Sequence, residues 1–480
     1  PFHFRMLRRQ ALQQRTRLPT GSVRSGGQEP TPVDGNAKSA VHPFKSKTFA
    51  PMAKRKIPPH WERLLRGSAL VLAVKVLGAL SGYAFVFLLV REYGKEGYGS
   101  FELAFTILSL ASALNRWGWD GIVVREVLAR KGKKKKQNAV VTAAFSFVFA
   151  TGLVLSAALY WGAPLLGKLF HSEQLPLHLS VVAVLLIPWG WFQLRSDVFR
   201  AKNNLLAYGL WQYGSLTLLA SILLFLVPVD ASVFSPVTLL LLVLLPFLAW
   251  NLWKLRAPAA SVSLQEQRAE WKQALPGATS MLVSSLLYLV LSWSDTLMIG
   301  YFLDESAVGL YRVSFKVATL IVFAQFAVNA QAAPDIARYW AQGNRELLQN
   351  AVTRIAWINT VVALPAFLVL TLAAPWFLGF FGADFIAQAG TLRWLALGQL
   401  TNALCGPVMY LLNMTGHEKS ARNTMAVGVV VNLVGNAVLI PTVGIAGAAI
   451  ATSFTMALWN GWAMVAVYRK TGIRTFLFWR

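Results

Sequence analysis

The sequence predicts an all-α polytopic membrane protein, with about twelve transmembrane helices in two six-helix pseudo-symmetric halves around a central cavity. Hydrophobic residues make up 56% of the 480 residues and charged residues only 14%, where a soluble protein carries roughly 25%. Apolar runs long enough to cross a bilayer as helices recur along the chain. Lysine and arginine concentrate on alternate connections between these runs, as the positive-inside rule requires.

The apolar runs divide into twelve predicted spans. Within several residues, they cover 66–90, 100–126, 138–162, 176–198, 205–228, 234–254, 276–301, 307–332, 350–373, 386–412, 421–440 and 444–468. Basic residues flank the first span and follow every even-numbered one, so both termini are expected on the cytoplasmic side. The net charge of +25 has this distribution. Nucleic-acid binding, which needs one contiguous basic face, is therefore not expected.

Five parts are expected along the chain. They are a disordered basic tail (1–60), an N-terminal six-helix lobe (61–260), a cytoplasmic linker helix (261–275), a C-terminal six-helix lobe (276–470) and a cytoplasmic tail (471–480). Met52 begins a short basic flank that resembles a true N-terminus. Residues 1–51 are therefore interpreted as a disordered tail or translated upstream sequence, with an organellar transit peptide as the alternative.

A weak internal repeat relates the two halves by a shift of about 210 residues. The matching positions are Gly99 and Gly309, Phe101 and Tyr311, and Ala163-Pro164 and Ala374-Pro375. Six spans per half preserve orientation, which implies a pseudo-two-fold axis along the membrane normal. Transporters built in this way bind substrate between the halves and alternate access by rocking one half against the other.

The order and spacing of several short motifs resemble the polysaccharide flippases of the multidrug/oligosaccharidyl-lipid/polysaccharide exporter superfamily. In spans seven and eight the pattern is Pro276, Asp295, Ile299-Gly300, Val308-Gly309, Tyr311 and Pro334. GWDGIVVREV resembles the second helix of that family, and NLVGNAVLIPTVGIAGAAIATS its last two. The resemblance covers about residues 62–470. It implies translocation of undecaprenyl-diphosphate-linked oligosaccharide for O-antigen, capsule or exopolysaccharide assembly.

The resemblance also implies a location and partners. We expect a multi-pass protein of the bacterial inner membrane, in contact with the lipid bilayer and a polyprenyl-diphosphate-linked glycan. A monomer is expected, with a polysaccharide polymerase and glycosyltransferases as candidate partners. No cofactor is expected, and a coupling proton or sodium ion is left open. The sequence contains no P-loop, so the chain is not expected to hydrolyse ATP.

Charged residues inside spans one and two mark a candidate substrate site, because charge within the bilayer is costly and is usually functional. Lys75 and Arg116 lie at similar depth, and Asp120 is predicted one helical turn from Arg116 on the same face. One interpretation is a cationic patch for a diphosphate, with Asp120 as a coupling residue. The alternative is a structural pair of Arg116 and Asp120. Lys75 has the further alternative of extending its ammonium group to the interface.

A second group of charges lies towards the outer side. Arg312, Lys316 and Arg393 are candidate substrate-binding cations. Asp295 is predicted level with Arg312 and Lys316, either in an ion pair or as a proton- or sodium-coupling site. Glu102 and Arg312 occupy matching positions in the two halves, which suggests an outer gate across the axis.

Three rival functions remain open. A cation-coupled multidrug exporter of the same superfamily would favour acidic cavity residues over these cations. A polysaccharide polymerase or ligase would need paired catalytic carboxylates or a long outer loop. A lipid II flippase would typically have fourteen spans, two more than predicted here. The chain is therefore expected to be a transporter and not an enzyme.

Overall fold

The first helical stretch, Pro59–Arg116, is a hairpin of two helices. Gly94 has φ 68° and ψ −172°, a conformation outside the helical region. The ring centroids of Phe85 and Phe101 lie 5.9 Å apart, whereas sixteen residues of continuous helix would separate them by about 24 Å. Residues 59–93 and 95–116 are therefore neighbouring helices, named α1 and α2, at the positions of predicted spans one and two.

The computed structural model describes residues 59–226 and 234–476, without the side chains of 59–73, 284, 324, 326–327 and 330–331. The predicted tail (1–60) lies almost wholly outside this range. After α1 and α2, the helices of the described residues are α3 (Trp119–Ala129), α4 (Lys134–Leu169), α5 (Leu175–Ala201), α6 (Leu205–Tyr213), α7 (Ser215–Leu226), α8 (Pro236–Ala260), α9 (Leu264–Phe302), α10 (Glu305–Ala318), α11 (Phe323–Ala341), α12 (Arg345–Leu372), α13 (Ala374–Gly379), α14 (Ala383–Ile386), α15 (Ala389–Leu404), α16 (Val408–Met414), α17 (Glu418–Val443) and α18 (Ile445–Thr471). A 3-10 turn over Thr319–Val322 joins α10 to α11.

The prediction of an all-α polytopic membrane fold is confirmed. Within the described ranges, eight helices are long and apolar enough to cross a membrane, or ten if the bent pairs α6–α7 and α15–α16 each form one span. The hairpin at Gly94 divides the first of these helices into two spans. Predicted span eight coincides with α10, the 3-10 turn and α11. Each of the twelve predicted spans thus corresponds to a helical segment.

The linker helix predicted over 261–275 is not separate from span seven. A capping box between Ser263 and Glu266 starts α9, which continues through Pro276 to Phe302. The Trp271 indole donates to the Ala143 carbonyl at 2.7 Å, and Ala274 is buried in the core formed by α3, α4 and α5. These contacts hold the segment before Pro276 against the N-terminal half, so the proline ring does not end the helix.

A close crossing between the two halves joins repeat-related positions of α2 and α10. A Cβ atom on Gly99 would lie 1.7 Å from the Glu305 carbonyl oxygen, and one on Gly309 would lie 2.1 Å from the Lys95 carbonyl oxygen. Lys95 and Glu305 are related by the same 210-residue shift as the two glycines. The two helix backbones are therefore in direct contact, in an arrangement consistent with the predicted pseudo-two-fold axis.

We predict that Gly99→Ala destabilises the protein, because the added methyl group would overlap the Glu305 carbonyl. Overpacking of this kind costs about 1–3 kcal/mol. The measurement is the midpoint of thermal unfolding in detergent. The matched control is Gly162→Ala, since a Cβ on Gly162 of α4 would meet no atom within 4 Å. Equal midpoints for the two variants would contradict the direct contact.

Candidate functional site

A cavity of about 380 Å³ lies between the end of α2, the start of α3 and the middle of α9. Its lining residues are Ala113, Arg116, Gly118, Asp120, Ser285, Tyr288 and Leu289. The helix is interrupted between α2 and α3, where Trp117 has φ 45° and Gly118 has φ 78°. A Cβ on Gly118 would lie 2.2 Å from the Ala278 carbonyl oxygen, so only glycine lets α9 approach this break. The break therefore shapes one wall of the cavity.

Arg116 and Asp120 both line this cavity, as predicted. The predicted basis for their proximity, a shared face of one helix, is wrong. They do not share one helical face, because α2 ends at Arg116 and α3 begins at Trp119. Arg116 Nη1 donates to Ser112 Oγ at 2.6 Å, and its buried Nε has no hydrogen-bond partner. Asp120 Oδ1 accepts from the backbone N–H of Gly121 at 3.1 Å. These two described side chains form no salt bridge with each other, so Asp120 does not pair with the guanidinium on the cavity wall.

Asp197 of α5 is a residue that the sequence reasoning missed. It is paired with Arg200 at 2.8 Å and its side chain is 15% exposed. It also interacts electrostatically with Asp120 and Arg116. The sequence did contain a signal for this residue, namely a carboxylate inside predicted span four. It lies close to Arg195 and Arg200, which were interpreted only as markers of membrane topology. Asp197 belongs to the acidic surroundings of Arg116.

The structure does not bring Lys75 to the cavity wall. Its ammonium group lies 4.6 Å from the ring centroid of Tyr213 at the end of α6, and it is half-buried. A cation above an aromatic face is stabilised locally. Trp119, at the start of α3, is buried against Phe147 with ring centroids 5.7 Å apart. Its role in this structure is packing.

Glu102 and Arg312 are brought together at the crossing of α2 and α10. Arg312 Nε donates to Glu102 Oε2 at 2.9 Å, and both side chains are nearly buried, with 13% and 9% exposed. Tyr98 donates its hydroxyl to the other carboxylate oxygen at 2.8 Å. The guanidinium carbon of Arg312 lies 4.4 Å from the ring centroid of Trp293. The pair joins the two halves, and its role as a gate stays a prediction.

Lys316 lies one turn beyond Arg312 on α10. Its ammonium group lies 5.2 Å from the ring centroid of Tyr83 on α1. It interacts electrostatically with Glu102 and Arg312. No carboxylate of the described residues lies within salt-bridge distance of it. Lys316 therefore leaves one positive charge in excess beside the Glu102–Arg312 pair.

The predicted ion pair of Asp295 with Arg312 or Lys316 is wrong. Asp295 is 4% exposed, and its hydrogen-bond donors among the described residues are neutral. They are Tyr311 at 2.6 Å, Asn436 at 2.7 Å, Thr452 at 2.7 Å and Asn432 at 3.1 Å. The sequence reasoning considered only the adjacent α10, whereas α17 and α18 supply three of the four donors.

Arg393, the third of the predicted outer cations, contacts the end of another helix. It is exposed at the start of α15, and its Nε donates to the Thr371 carbonyl at the end of α12 at 3.1 Å. A cation at a helix C-terminus is stabilised by the last carbonyl groups. The observed contact of Arg393 is therefore a helix cap.

The charged sites occupy different depths along α2. Glu102 and Arg116 are separated by fourteen residues, or about 21 Å of helix. The crossing at Glu102 is closed by backbone contact, whereas the region of Arg116 opens into the cavity. The two halves therefore meet tightly at one level and leave space at another.

The basic loop after α3 is tied to the start of α9. Arg130 makes two hydrogen bonds to Glu270, at 2.6 and 3.0 Å, and hydrogen bonding to Glu270 raises the pKa of Arg130. Lys135 pairs with Glu266 at 3.1 Å. Lys135, at the start of α4, therefore binds the beginning of α9 as well.

Comparison with known proteins gives two family matches. Residues 64–340 match the model described as polysaccharide biosynthesis protein, and residues 280–438 match the MatE model. The chain is 23% identical over 409 residues to "Probable flippase AglR" of Haloferax volcanii, covering 82% of each chain. It is 27% identical over 215 residues to "Probable low-salt glycan biosynthesis flippase Agl15" of the same organism, covering 44% of each. The match to Agl15 therefore spans less than half of that relative.

Two solved structures show the same fold. "Lipid II flippase MurJ, inward closed conformation" has a TM-score of 0.64 and 12% identity, covering 84% of this chain and 87% of that one. The "MATE multidrug transporter DinF-BH" has a TM-score of 0.61 and 16% identity, covering 89% and 98%. At these identities the likeness concerns the fold alone.

We predict that Glu102 and Arg312 are energetically coupled, because their pair is buried and hydrogen-bonded. A double-mutant cycle of Glu102→Gln and Arg312→Gln should give a coupling energy above about 1 kcal/mol in unfolding measurements. The control cycle uses Asp335 and Arg338, which pair at the same 2.9 Å but are about half exposed. Exposed pairs of this kind couple by less than about 0.5 kcal/mol. Equal coupling in both cycles would refute a special role for the buried pair.

Proposed function

Because the chain belongs to the family of polysaccharide biosynthesis proteins, we propose that it is a flippase for a polyprenyl-diphosphate-linked oligosaccharide. The carrier would move this lipid from the cytoplasmic to the outer leaflet, for assembly of a surface polysaccharide such as O-antigen, capsule or exopolysaccharide. The observation that supports this most directly is the unpaired guanidinium of Arg116 on the cavity wall. Both relatives from Haloferax volcanii are named as probable flippases, which agrees with the class of transport.

The chemistry of the cavity suits an anionic headgroup. A diphosphate loses its hydration when it enters the membrane, and a fixed cation in a partly hydrated cavity offsets this cost. Arginine binds phosphate oxygens through two parallel N–H groups, and Arg116 uses only Nη1 for its contact with Ser112. Asp120 and Asp197 would limit the affinity by repelling the phosphates. The bound lipid could then be released after the halves rearrange.

Movement between leaflets would require the crossing of α2 and α10 to open. In the alternating-access scheme the two halves rock about a fixed site. The Glu102–Arg312 pair would then break as an outer gate, and Lys316 would help to neutralise the Glu102 carboxylate that is left behind. The membrane potential favours outward movement of negative charge, by about 2.3 kcal/mol per charge at 100 mV.

Asp295 is the candidate site for cation coupling. It is a buried carboxylate with hydroxyl and amide groups around it and no cation among its hydrogen-bond partners. Oxygen ligands of this kind suit a small hard cation such as Na⁺, and a proton would neutralise the carboxylate equally. Exchange of this cation against the lipid would make the carrier an antiporter.

The proposed setting is the bacterial inner membrane, with both termini in the cytoplasm. A monomer would suffice, because one chain supplies both halves of the cavity. Polysaccharide polymerases and glycosyltransferases are the proposed functional partners.

A multidrug exporter is the main alternative function for this chain, and drug resistance conferred by the expressed protein would favour it.

We predict that Arg116→Ala strongly slows flipping without affecting membrane insertion, because it removes the cation on the cavity wall. The assay uses proteoliposomes with a fluorescent undecaprenyl-diphosphate-linked oligosaccharide and a quencher that does not cross the membrane. Loss of a charge-assisted hydrogen bond worth about 1.5–3 kcal/mol should slow flipping at least about tenfold. Arg116→Lys should retain part of the rate.

The matched control is Arg393→Ala. It removes an exposed arginine that contacts the Thr371 carbonyl, so we expect a nearly normal rate. Full activity of Arg116→Ala, either in proteoliposomes or in complementation of a strain that lacks its flippase, would reject the proposed substrate site.

We also predict that Asp295→Asn removes the dependence of flipping on an imposed sodium or proton gradient. The substitution replaces one acceptor oxygen with an N–H donor that would face the other donors. Rates are compared with and without each gradient, and Asp335→Asn, an exposed aspartate paired with Arg338, is the control. A gradient response equal to that of the wild type would exclude Asp295 as the coupling residue.

A further inference from the structure

Arg195 of α5 is a buried arginine outside the cavity. The residue is 6% exposed. Its Nε donates to Asn251 Oδ1 of α8 at 2.7 Å. The guanidinium carbon lies 4.8 Å from the ring centroid of Phe145 on α4 and 5.5 Å from that of Trp250 on α8. Two aromatic faces and one amide oxygen therefore hold a full positive charge inside the N-terminal half.

The surroundings of Arg195 contain further cations and no paired acid. No carboxylate of the described residues lies within salt-bridge distance of Arg195, Lys134 or Lys202. Desolvation, followed by the positive charges of Arg195 and Lys134, lowers the pKa of Lys202. Asp197, two residues from Arg195 in sequence, is engaged by Arg200 at 2.8 Å. This corner of the protein thus has a local excess of positive charge.

Only one of the two N–H groups on one edge of the Arg195 guanidinium has a hydrogen-bond partner. Nε and Nη2 form the edge that normally binds two oxygens of a carboxylate or phosphate. Nε bonds Asn251, whereas Nη2 is buried without a partner, and so is the Asn251 amide nitrogen. Buried donors without acceptors are costly and rare. The missing group is therefore an acceptor, and an anionic one would also balance the charge.

The corner lies beside the first turn of α4 and the last two turns of α5. The helix α4 begins at Lys134, and its N-cap residue provides no capping side chain. Lys134 and Lys202 are exposed above the buried Arg195. The ammonium group of Lys254 lies 4.0 Å from the ring centroid of Trp253 and 5.7 Å from that of Trp250. Tryptophan and lysine in this arrangement are typical of the headgroup level of a bilayer.

We propose that Arg195, Asn251, Lys134 and Lys202 form a phosphate-binding site at the ends of α4, α5 and α8, separate from the cavity. A phosphate group carries several acceptor oxygens and at least one negative charge, which match the two free donors and the cations around them. The phosphate could belong to an anionic phospholipid headgroup or be free in solution. The site does not depend on the proposed transport function.

The test is the thermal unfolding midpoint of the purified full-length protein in detergent. It is measured with phosphatidylglycerol, with phosphatidylcholine and with inorganic phosphate. Stabilisation by phosphatidylglycerol alone would identify a lipid site, and stabilisation by inorganic phosphate a site for free phosphate. Either result supports the proposal if Arg195→Gln binds the same anion about tenfold more weakly, as expected when one charge-assisted hydrogen bond is lost.

A second variant keeps the test informative if Arg195→Gln fails to fold. Lys134→Gln with Lys202→Gln changes only exposed residues, and it should also weaken binding. Arg393→Gln, which removes an exposed arginine elsewhere, should bind like the wild type. The proposal is overturned if neither phosphatidylglycerol nor inorganic phosphate stabilises the protein more than phosphatidylcholine does, or if the Lys134/Lys202 double variant responds to the stabilising anion like the wild type.

Discussion

The contact between the backbones of α2 and α10 sets the positions of Glu102 and Arg312. Glycine at both 99 and 309 lets each helix touch a carbonyl oxygen of the other. Glu102 and Arg312, one turn further along, then come within hydrogen-bonding distance. At its other end, α2 stops at Arg116, and this residue lines the cavity. One close crossing therefore determines which charges are neutralised and which remain available.

The fold was largely predictable because its signals are local. Apolar runs, basic flanks and repeated short motifs each lie within a few tens of residues, and the pair formed by Glu102 and Arg312 follows from the repeat. The surroundings of Asp295 were not predictable, since three of its donors lie 137–157 residues away in sequence. The break at Trp117 was missed because a left-handed conformation is rare for a bulky residue. Only the neighbouring Gly118 indicated it.

The buried charges differ in how they are compensated. Arg312 has a carboxylate, Asp295 has four neutral donors, and Arg195 has aromatic faces and a single amide oxygen. Arg116 has a serine hydroxyl and the space of the cavity. An ion pair is costly to separate, because both charges must find new partners. A charge held by neutral dipoles can accept or release a mobile counter-ion more readily, and Asp295, Arg195 and Arg116 all belong to this class.

The uninterrupted course of α9 has a mechanical consequence. Its first turns are bound to the N-terminal half through Glu270 and Trp271, while Asp295 near its other end is bound to α17 and α18. Twenty-five residues, or about 38 Å of stiff helix, separate Glu270 from Asp295. Rotation of one half against the other must therefore bend this rod or release one of its attachments. Elastic strain in α9 would then couple a change in the contacts of Asp295 to the contacts of Glu270 and Trp271 at the other end of the helix.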